Sequence, residues 1–189
     1  MLARFLLDLN SVASYRQSME KLYKCILADP PWNERGGGKI TRGAQKHYPL
    51  LKTPDIVQVM REAPVWRPDP SGCLLWLWAT SNFLPDALQV MQALKFKYIT
   101  SLVWVKTGGP GLGQRTRQRH ELLLLGRMGK VPVPAPPDRP DSVLEAARGR
   151  HSEKPLESYV RIEKACEGPR VELFCRTPRE GWDCWGNEV

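Results

Sequence analysis

The tetrapeptide Asp29-Pro30-Pro31-Trp32 directly follows an apolar run over 23–28. Such a run predicts a buried strand, and open α/β sheets bind ligands at the carboxyl ends of their strands. The prolines restrict the backbone, so we expect the Pro30 carbonyl to remain free as an acceptor beside the Asp29 carboxylate. Two acceptors next to an indole suit a planar ring that carries an exocyclic amine. The alternative is a strand-ending turn whose tryptophan belongs to the core.

Strands and helices that could position this motif alternate along the chain. Apolar runs predict strands over 23–28, 73–79, 98–105, 121–125 and 171–175, and helical spacing predicts helices over 53–62, 82–94 and 155–166. Thr53 is the expected N-cap of the first helix, with Pro54 in its first turn. The alternation predicts one α/β domain over 1–189, a Rossmann-like sandwich with helices on both faces of a mostly parallel sheet. The proline-rich segment 128–141 is expected to be an irregular loop.

The positive charge is concentrated in two segments. The chain has a formal net charge of +8, and the segments 33–52 and 107–130 each contribute +4, while the rest is balanced. Glycines in both segments favour loops over helices, and we predict substrate loops over 33–52 and 107–118. Basic loops predict an acidic partner such as nucleic acid, although a solvated surface loop without a partner has the same composition.

Cysteine content and hydropathy exclude several classes of protein. The five cysteines form no CxxC pair, which argues against a disulfide framework and predicts no structural metal site. No apolar run approaches the roughly 20 residues that span a bilayer. The first ten residues lack a basic segment and a small-residue cleavage site, so no secretion signal is expected. These features predict a cytoplasmic protein without a membrane partner, and the first 22 residues have no predicted role.

Eight blocks in order resemble the MT-A family of S-adenosylmethionine-dependent N6-adenine methyltransferases. Its eukaryotic members methylate adenosine in mRNA, and its bacterial and phage members are mostly described as DNA adenine methylases. The matching blocks are ILADPPW (26–32), Tyr48-Pro49, LLWLWAT (74–80), VWVKT (103–107), RHELLLLG (119–126), RHSEKP (150–155), VELFCR (171–176) and GWDCWGNE (181–188). The resemblance covers 23–189 and implies a bacterial or phage-like member with a methyltransferase fold, in the cytoplasm of a bacterial or phage-infected cell.

The resemblance also implies roles for single residues. Asp29 and the Pro30 carbonyl would hold the adenine amine, and Trp32 would stack on the base. Lys154 would pair with the methionine carboxylate of the cofactor, and Glu172 would lie near its ribose. The implied sets are catalytic Asp29, Pro30, Pro31 and Trp32; cofactor-binding Ala28, Asp29, Lys154, Glu172, Phe174, Arg176 and Asn187; and substrate-binding Tyr48, Lys106, Arg115, Arg117, Arg119 and His120.

Other assignments stay open at this level. His120 could instead be a strand-edge histidine with a structural hydrogen bond, and Lys154 a solvated lysine. DNA is favoured over RNA as substrate, but no residue in the sequence distinguishes them. A catalytically inactive subunit that binds nucleic acid is a third function, against which the intact DPPW motif argues. The chain has no room for a large target-recognition domain, so low specificity or a homodimer is expected.

Overall fold

The computed structural model describes residues 21–33, 50–109, 111, 113, 115–149 and 153–186. The predicted site residues Tyr48 and Asn187 lie outside the described residues, as do most of the loop 33–52 and residues 1–20.

Seven strands and three α-helices make up the described fold. The strands are β1 (Cys25–Ala28), β2 (Gly72–Ala79), β3 (Lys97–Thr107), β4 (His120–Gly129), β5 (Val143–Ala147), β6 (Arg170–Leu173) and β7 (Asp183–Trp185). The helices are α1 (Thr53–Glu62), α2 (Leu84–Ala93) and α3 (Leu156–Ala165). All predicted strands and helices are confirmed, with shifted ends, and the short strands β5 and β7 were not predicted.

The strands form one sheet in the order β5-β3-β4-β2-β1-β6-β7. Every neighbouring pair is parallel except the two pairs that contain β4, which runs antiparallel to both β2 and β3. The sheet is therefore mostly parallel, as expected. The same edge gathers the carboxyl ends of six strands and the amino end of β4, so residues at the start of β4 lie beside those that follow β1 and β2.

Both faces of the sheet are covered. On one face, Ile56 and Met60 of α1 and Met91 of α2 pack in a cluster with the β1 residues Ile26 and Ala28. On the other face, α3 packs in a second cluster, and the strands contribute two fully buried tryptophans to it, Trp76 and Trp78. The expected α/β Rossmann-like sandwich is confirmed.

Two local predictions are wrong. Lys52, not Thr53, occupies the N-cap position of α1, because the Thr53 hydroxyl donates to Asp86 of α2 instead of capping its own helix. The predicted loop 128–141 is not wholly irregular: its first two residues extend β4 by pairing with Cys73 and Gly72, and a 3-10 turn spans Pro136–Asp138. Pairing along the whole length of β2 therefore overrides the local signal. No helix among the described residues is long and apolar enough to cross a membrane.

Candidate active site

Four charged side chains meet at the carboxyl edge of the sheet. Asp29 follows β1, Lys106 is the penultimate residue of β3, Glu121 is the second residue of β4, and Lys154 lies two residues before α3. Because β4 is antiparallel to its neighbours, its first residues reach the edge where β1 and β3 end. The topology therefore assembles one cluster from segments that are far apart in sequence.

The four charges form a continuous chain of alternating sign. The Lys154 ammonium lies 2.6 Å from Oδ2 of Asp29 and 3.5 Å from Oε2 of Glu121. The other oxygen of Glu121 accepts from Lys106, which completes the chain. Their side chains are between 10% and 19% exposed, so each carboxylate and ammonium is partly desolvated and depends on its neighbours.

The charges in this chain stabilise one another. Burial disfavours the charged form of Lys154, but Asp29 and Glu121 outweigh it and raise the pKa of the ammonium above 10.5. Burial likewise opposes ionisation of Glu121, yet Lys154 and Lys106 together lower the pKa of this carboxyl below 4.5. Both groups are therefore ionised near neutral pH, and the site holds a fixed ammonium next to Asp29.

Aromatic rings support both lysines of the cluster. The Lys154 ammonium lies 5.4 Å from the ring centroid of Trp78, and the Lys106 ammonium lies 4.8 Å from that of Trp104. Ammonium groups at these distances are attracted by the aromatic quadrupole. The two tryptophans pack edge to face with their centroids 6.1 Å apart, so both ammonium groups lie against one pair of packed indole rings.

Trp32 is built into the protein core. It is 7% exposed, its indole stacks on Phe83 with the centroids 5.6 Å apart, and its Nε1 donates to the carbonyl of Trp78 at 2.9 Å. Contrary to expectation, the Pro30 carbonyl is not wholly free, because it accepts from the Trp32 backbone N–H, and the Pro31 carbonyl accepts from the Leu51 N–H, each at 2.9 Å. These bonds fix the motif rigidly, and the second lone pair of each carbonyl oxygen is left for another donor.

The end of β6 carries a buried acid near the carboxyl edge of the sheet. Glu172 is 7% exposed, and its Oε1 accepts from the Tyr159 hydroxyl at 3.0 Å, whereas its Oε2 has no hydrogen bond. Burial raises the pKa of Glu172, and the bond from Tyr159 offsets only part of that rise. Phe174 follows with a positive φ of 61° and packs edge to face on Trp185.

The remaining predicted residues take different positions. Ala28 is fully buried in the core between β2 and β6. Arg176 is half-buried and close enough to Lys154 to oppose its charge. His120 lies with Nε2 2.8 Å from the Ser81 hydroxyl, which supports its structural interpretation. Three exposed arginines lie between β3 and β4: Arg115, Arg117 and Arg119. Among the described residues, none of them forms an ion pair with the four charges of the cluster.

Two residues of the site escaped the sequence analysis. Glu121 is the one acid in the basic segment 107–130, and that isolation was a usable signal of a buried partner among cations. Tyr159 was seen only as an apolar position of a helix, because nothing in the sequence indicates that its hydroxyl reaches Glu172.

Comparison with known proteins agrees with this geometry. The model of the MT-A70 family matches residues 23–188. A type II methyltransferase M.MunI from Mycoplasma sp is 29% identical over 93% of this chain and 81% of its own length. The mouse N(6)-adenine-specific methyltransferase METTL4 is 25% identical over 89% of this chain, which spans only 38% of that protein. A putative N(6)-adenosine-methyltransferase MT-A70-like protein from Medicago truncatula is 25% identical over 94% of this chain and 28% of its own length.

The family match covers both the acid that follows β1 and the lysine that pairs with it. The chain therefore belongs to the MT-A70 family of N6-adenine methyltransferases, whose methyl donor is S-adenosylmethionine.

Proposed function

We propose that the protein methylates the N6 amine of adenine in DNA. The observation that carries the proposal is the ion pair of Asp29 and Lys154 at the carboxyl end of β1. Asp29 is the first residue of the motif that resembles the adenine-binding motif of the family. The Mycoplasma relative covers most of both chains, and the resemblance to bacterial and phage members favours DNA over RNA.

The donors and acceptors of the site fit S-adenosylmethionine, which supplies an electrophilic methyl group when it is bound. Lys154 offers an ammonium whose two carboxylate partners leave one N–H for the cofactor carboxylate. The Oε2 atom of Glu172 is buried without a hydrogen bond and can accept from a ribose hydroxyl. We propose that Ala28, Phe174, Arg176 and Asn187 complete this pocket, as the resemblance implies.

Asp29 is proposed to orient the amine. Lys154 occupies Oδ2, and Oδ1 has no hydrogen bond within the described residues, so it can accept one N–H of the substrate. The Pro30 carbonyl has a lone pair for the second N–H. Fixing both N–H groups directs the nitrogen lone pair towards the methyl donor, and positioning of this kind supplies a large part of the rate enhancement. The carboxylate also stabilises the positive charge that develops on the nitrogen.

Trp32 is proposed to contact the base only through its small exposed part. Its buried face is occupied by Phe83, and its N–H by the carbonyl of Trp78. Its larger contribution is to hold Pro30 and Pro31, and with them Asp29, against the core.

The nucleic acid is proposed to lie across the two basic segments. Arg115, Arg117 and Arg119 are exposed beside the carboxyl edge and can contact phosphates without reading sequence. Lys106 forms an ion pair with Glu121, so we propose that it affects the substrate indirectly, by holding Glu121 and the other charges of the chain in place. Tyr48 keeps its proposed place near the base, which must leave the duplex stack or come from a single strand. His120 is proposed to contribute only by its position at this edge, because its Nε2 lies against the Ser81 hydroxyl. The homodimer stays a prediction, to be measured by analytical ultracentrifugation.

The test uses labelled S-adenosylmethionine with DNA, RNA of the same sequence and free nucleotides. We expect label on adenine N6 in DNA, and Asp29→Asn is expected to reduce the rate at saturating cofactor by roughly 100-fold or more. Asp138→Asn is the matched control, since Asp138 is exposed outside the charged chain.

Each other result replaces the proposal with a stated alternative. Label in RNA alone would make the protein an RNA methyltransferase. Binding of nucleic acid without label in any substrate would identify a catalytically inactive subunit. Full activity of Asp29→Asn would remove Asp29 from the reaction.

A further inference from the structure

Three potential metal ligands come together beside the catalytic edge although they are scattered in sequence. One ligand atom each from Glu172, Cys175 and Cys184 lies within 4.8 Å of the other two. The sequence argued against a metal site because its cysteines form no close pair. The fold removes that objection, because β6 and β7 pair with Glu172 opposite Cys184.

The backbone brings the third ligand to the same side of the sheet. Residues three apart on a regular strand point to opposite faces, so Cys175 would face away from Glu172 if β6 simply continued. Phe174 instead takes a φ of 61°, a conformation that non-glycine residues rarely adopt, and the chain turns at that point. The Cys175 thiol then lies close enough to the Glu172 carboxylate to be among the groups that lower its pKa, against the dominant effect of burial.

The Glu172 carboxylate is prepared as a ligand, although Arg179 is also close enough to lower its pKa. Glu172 is only 7% exposed, and its Oε2 has no hydrogen bond, although a carboxylate oxygen without a partner is costly in such a place. Tyr159 donates to the other oxygen and so fixes the carboxylate, as groups that hydrogen-bond to ligands do in metal sites. Cys175 is buried, and Cys184 is half-buried on the edge strand β7, so one of the three ligands is reached by solvent.

We propose that Glu172, Cys175 and Cys184 form a site for a thiophilic divalent cation such as Zn²⁺. Two thiolates and one carboxylate are ligands that zinc prefers, and water completes four-coordination. Two sulfurs on one tetrahedral zinc lie about 3.8 Å apart, so the cluster needs to contract by no more than roughly 1 Å. The ion replaces the protons of both thiols, so two H⁺ are released for each ion bound and no oxidant is involved.

Binding of the ion would occupy the Glu172 oxygen that we propose for the cofactor ribose. The ion would then compete with S-adenosylmethionine. This consequence depends on the proposed function, whereas the site itself does not, and the test below uses neither cofactor nor activity.

The test is a titration of the full, reduced chain with Co²⁺, a spectroscopic substitute for Zn²⁺, followed by displacement with Zn²⁺. We expect near-ultraviolet thiolate-to-cobalt absorption that saturates at one equivalent and disappears when zinc is added. Cys184→Ala changes a half-buried residue of an edge strand and should fold. Cys184→Ala and Cys175→Ala are each expected to weaken binding at least about 100-fold, and Tyr159→Phe about 10-fold. Circular dichroism checks the fold of every variant.

Cys166→Ala is the matched control, because Cys166 directly follows α3 and neighbours Cys25 at the start of β1, so these two thiols form a second pair. Binding that is unchanged in this control and abolished in the cluster variants supports the site. No thiolate absorption, equal absorption in Cys184→Ala, or loss of binding only in Cys166→Ala would overturn it. A mass two units lower without reductant, together with no metal binding, would identify a disulfide of Cys175 and Cys184 in its place.

Discussion

The Lys154 ammonium lies 2.6 Å from the Asp29 carboxylate, and it is the one cation within ion-pair distance of that carboxylate among the described residues. This contact joins the motif after β1 to the segment before α3. It places a buried positive charge beside the group proposed to receive the substrate amine, and Glu121 holds that charge from the other side.

Replacing Lys154 by methionine is expected to destabilise the protein. The change leaves Asp29 and Glu121 without their shared counter-charge in a partly desolvated site, and breaking such a pair costs roughly 3 kcal/mol. Urea unfolding followed by circular dichroism measures the decrease in the free energy of unfolding. Lys164→Met, at an exposed position in the last turn of α3, the helix that Lys154 precedes, is the control. Equal decreases in the two variants would contradict a stabilising role of the ion pair.

The contribution of Glu121 should depend on pH in a defined direction. Its pKa is lowered in the folded protein, so its ionised form stabilises the fold above the ordinary value of 4.5, and this contribution is lost as the pH falls through the folded value. We expect Glu121→Gln to be less stable than the parent at pH 7 and the difference to shrink in acid. Unfolding titrations between pH 7 and the acid limb measure it. A difference in the free energy of unfolding that stays constant or grows in acid would contradict a lowered pKa of Glu121.

Trp32 should be coupled energetically to Phe83. Their rings are stacked, and stacked pairs contribute about 0.5–1.5 kcal/mol beyond their burial. A double-mutant cycle with Trp32→Leu and Phe83→Leu measures this coupling from the free energies of unfolding. Trp32→Phe preserves much of the stack but loses the hydrogen bond to the Trp78 carbonyl, and should cost about 1–3 kcal/mol. Additive effects in the cycle would show that the rings do not support each other.

The three arginines before β4 should govern the salt dependence of nucleic-acid binding. Replacing Arg115, Arg117 and Arg119 together by alanine is expected to weaken binding and to reduce the slope of log K against log salt by about 0.9 for each phosphate that is no longer neutralised. Cofactor binding, measured by calorimetry, should persist because these side chains are exposed outside the charged chain. Filter binding over a salt series gives the slope.

In the matched control, alanine replaces three cations at the opposite edge of the sheet, Lys97, Arg127 and Lys130, which removes the same positive charge. These residues are exposed near the start of β3 and the end of β4. Similar slopes for both triple variants would show that only net charge matters, and not the place of the arginines.

The sequence predicted the parts of the fold that carry long apolar runs. The strand over 73–79 is apolar throughout because both of its faces are covered. The strands β5 and β7 escaped detection because they lie at the two edges of the sheet, are short, and include polar residues such as Glu145 and Asp183. The antiparallel direction of β4 was equally hidden, since direction depends on pairing and not on composition.

The site was predicted unevenly for a similar reason. Asp29 stood out because its motif combines chemistry and backbone restraint within four residues. Lys154 came only from the resemblance, because its partner lies 125 residues away. The sequence left the burial of Trp32 open between a stacking surface and the core, since the same residue type serves as both. Its contacts with Phe83 and Trp78 depend on how α2 and β2 pack.

The position of β1 in the middle of the sheet has a consequence for folding. Ile26 pairs with Leu75 on one side and with Val171 on the other, so one neighbour of this strand comes from a segment far along the chain. Pairings this distant in sequence slow folding, and an apolar strand with an open edge invites wrong partners meanwhile. β1 therefore pairs early with β2 but keeps one open edge until the segment that carries β6 has folded back beside it.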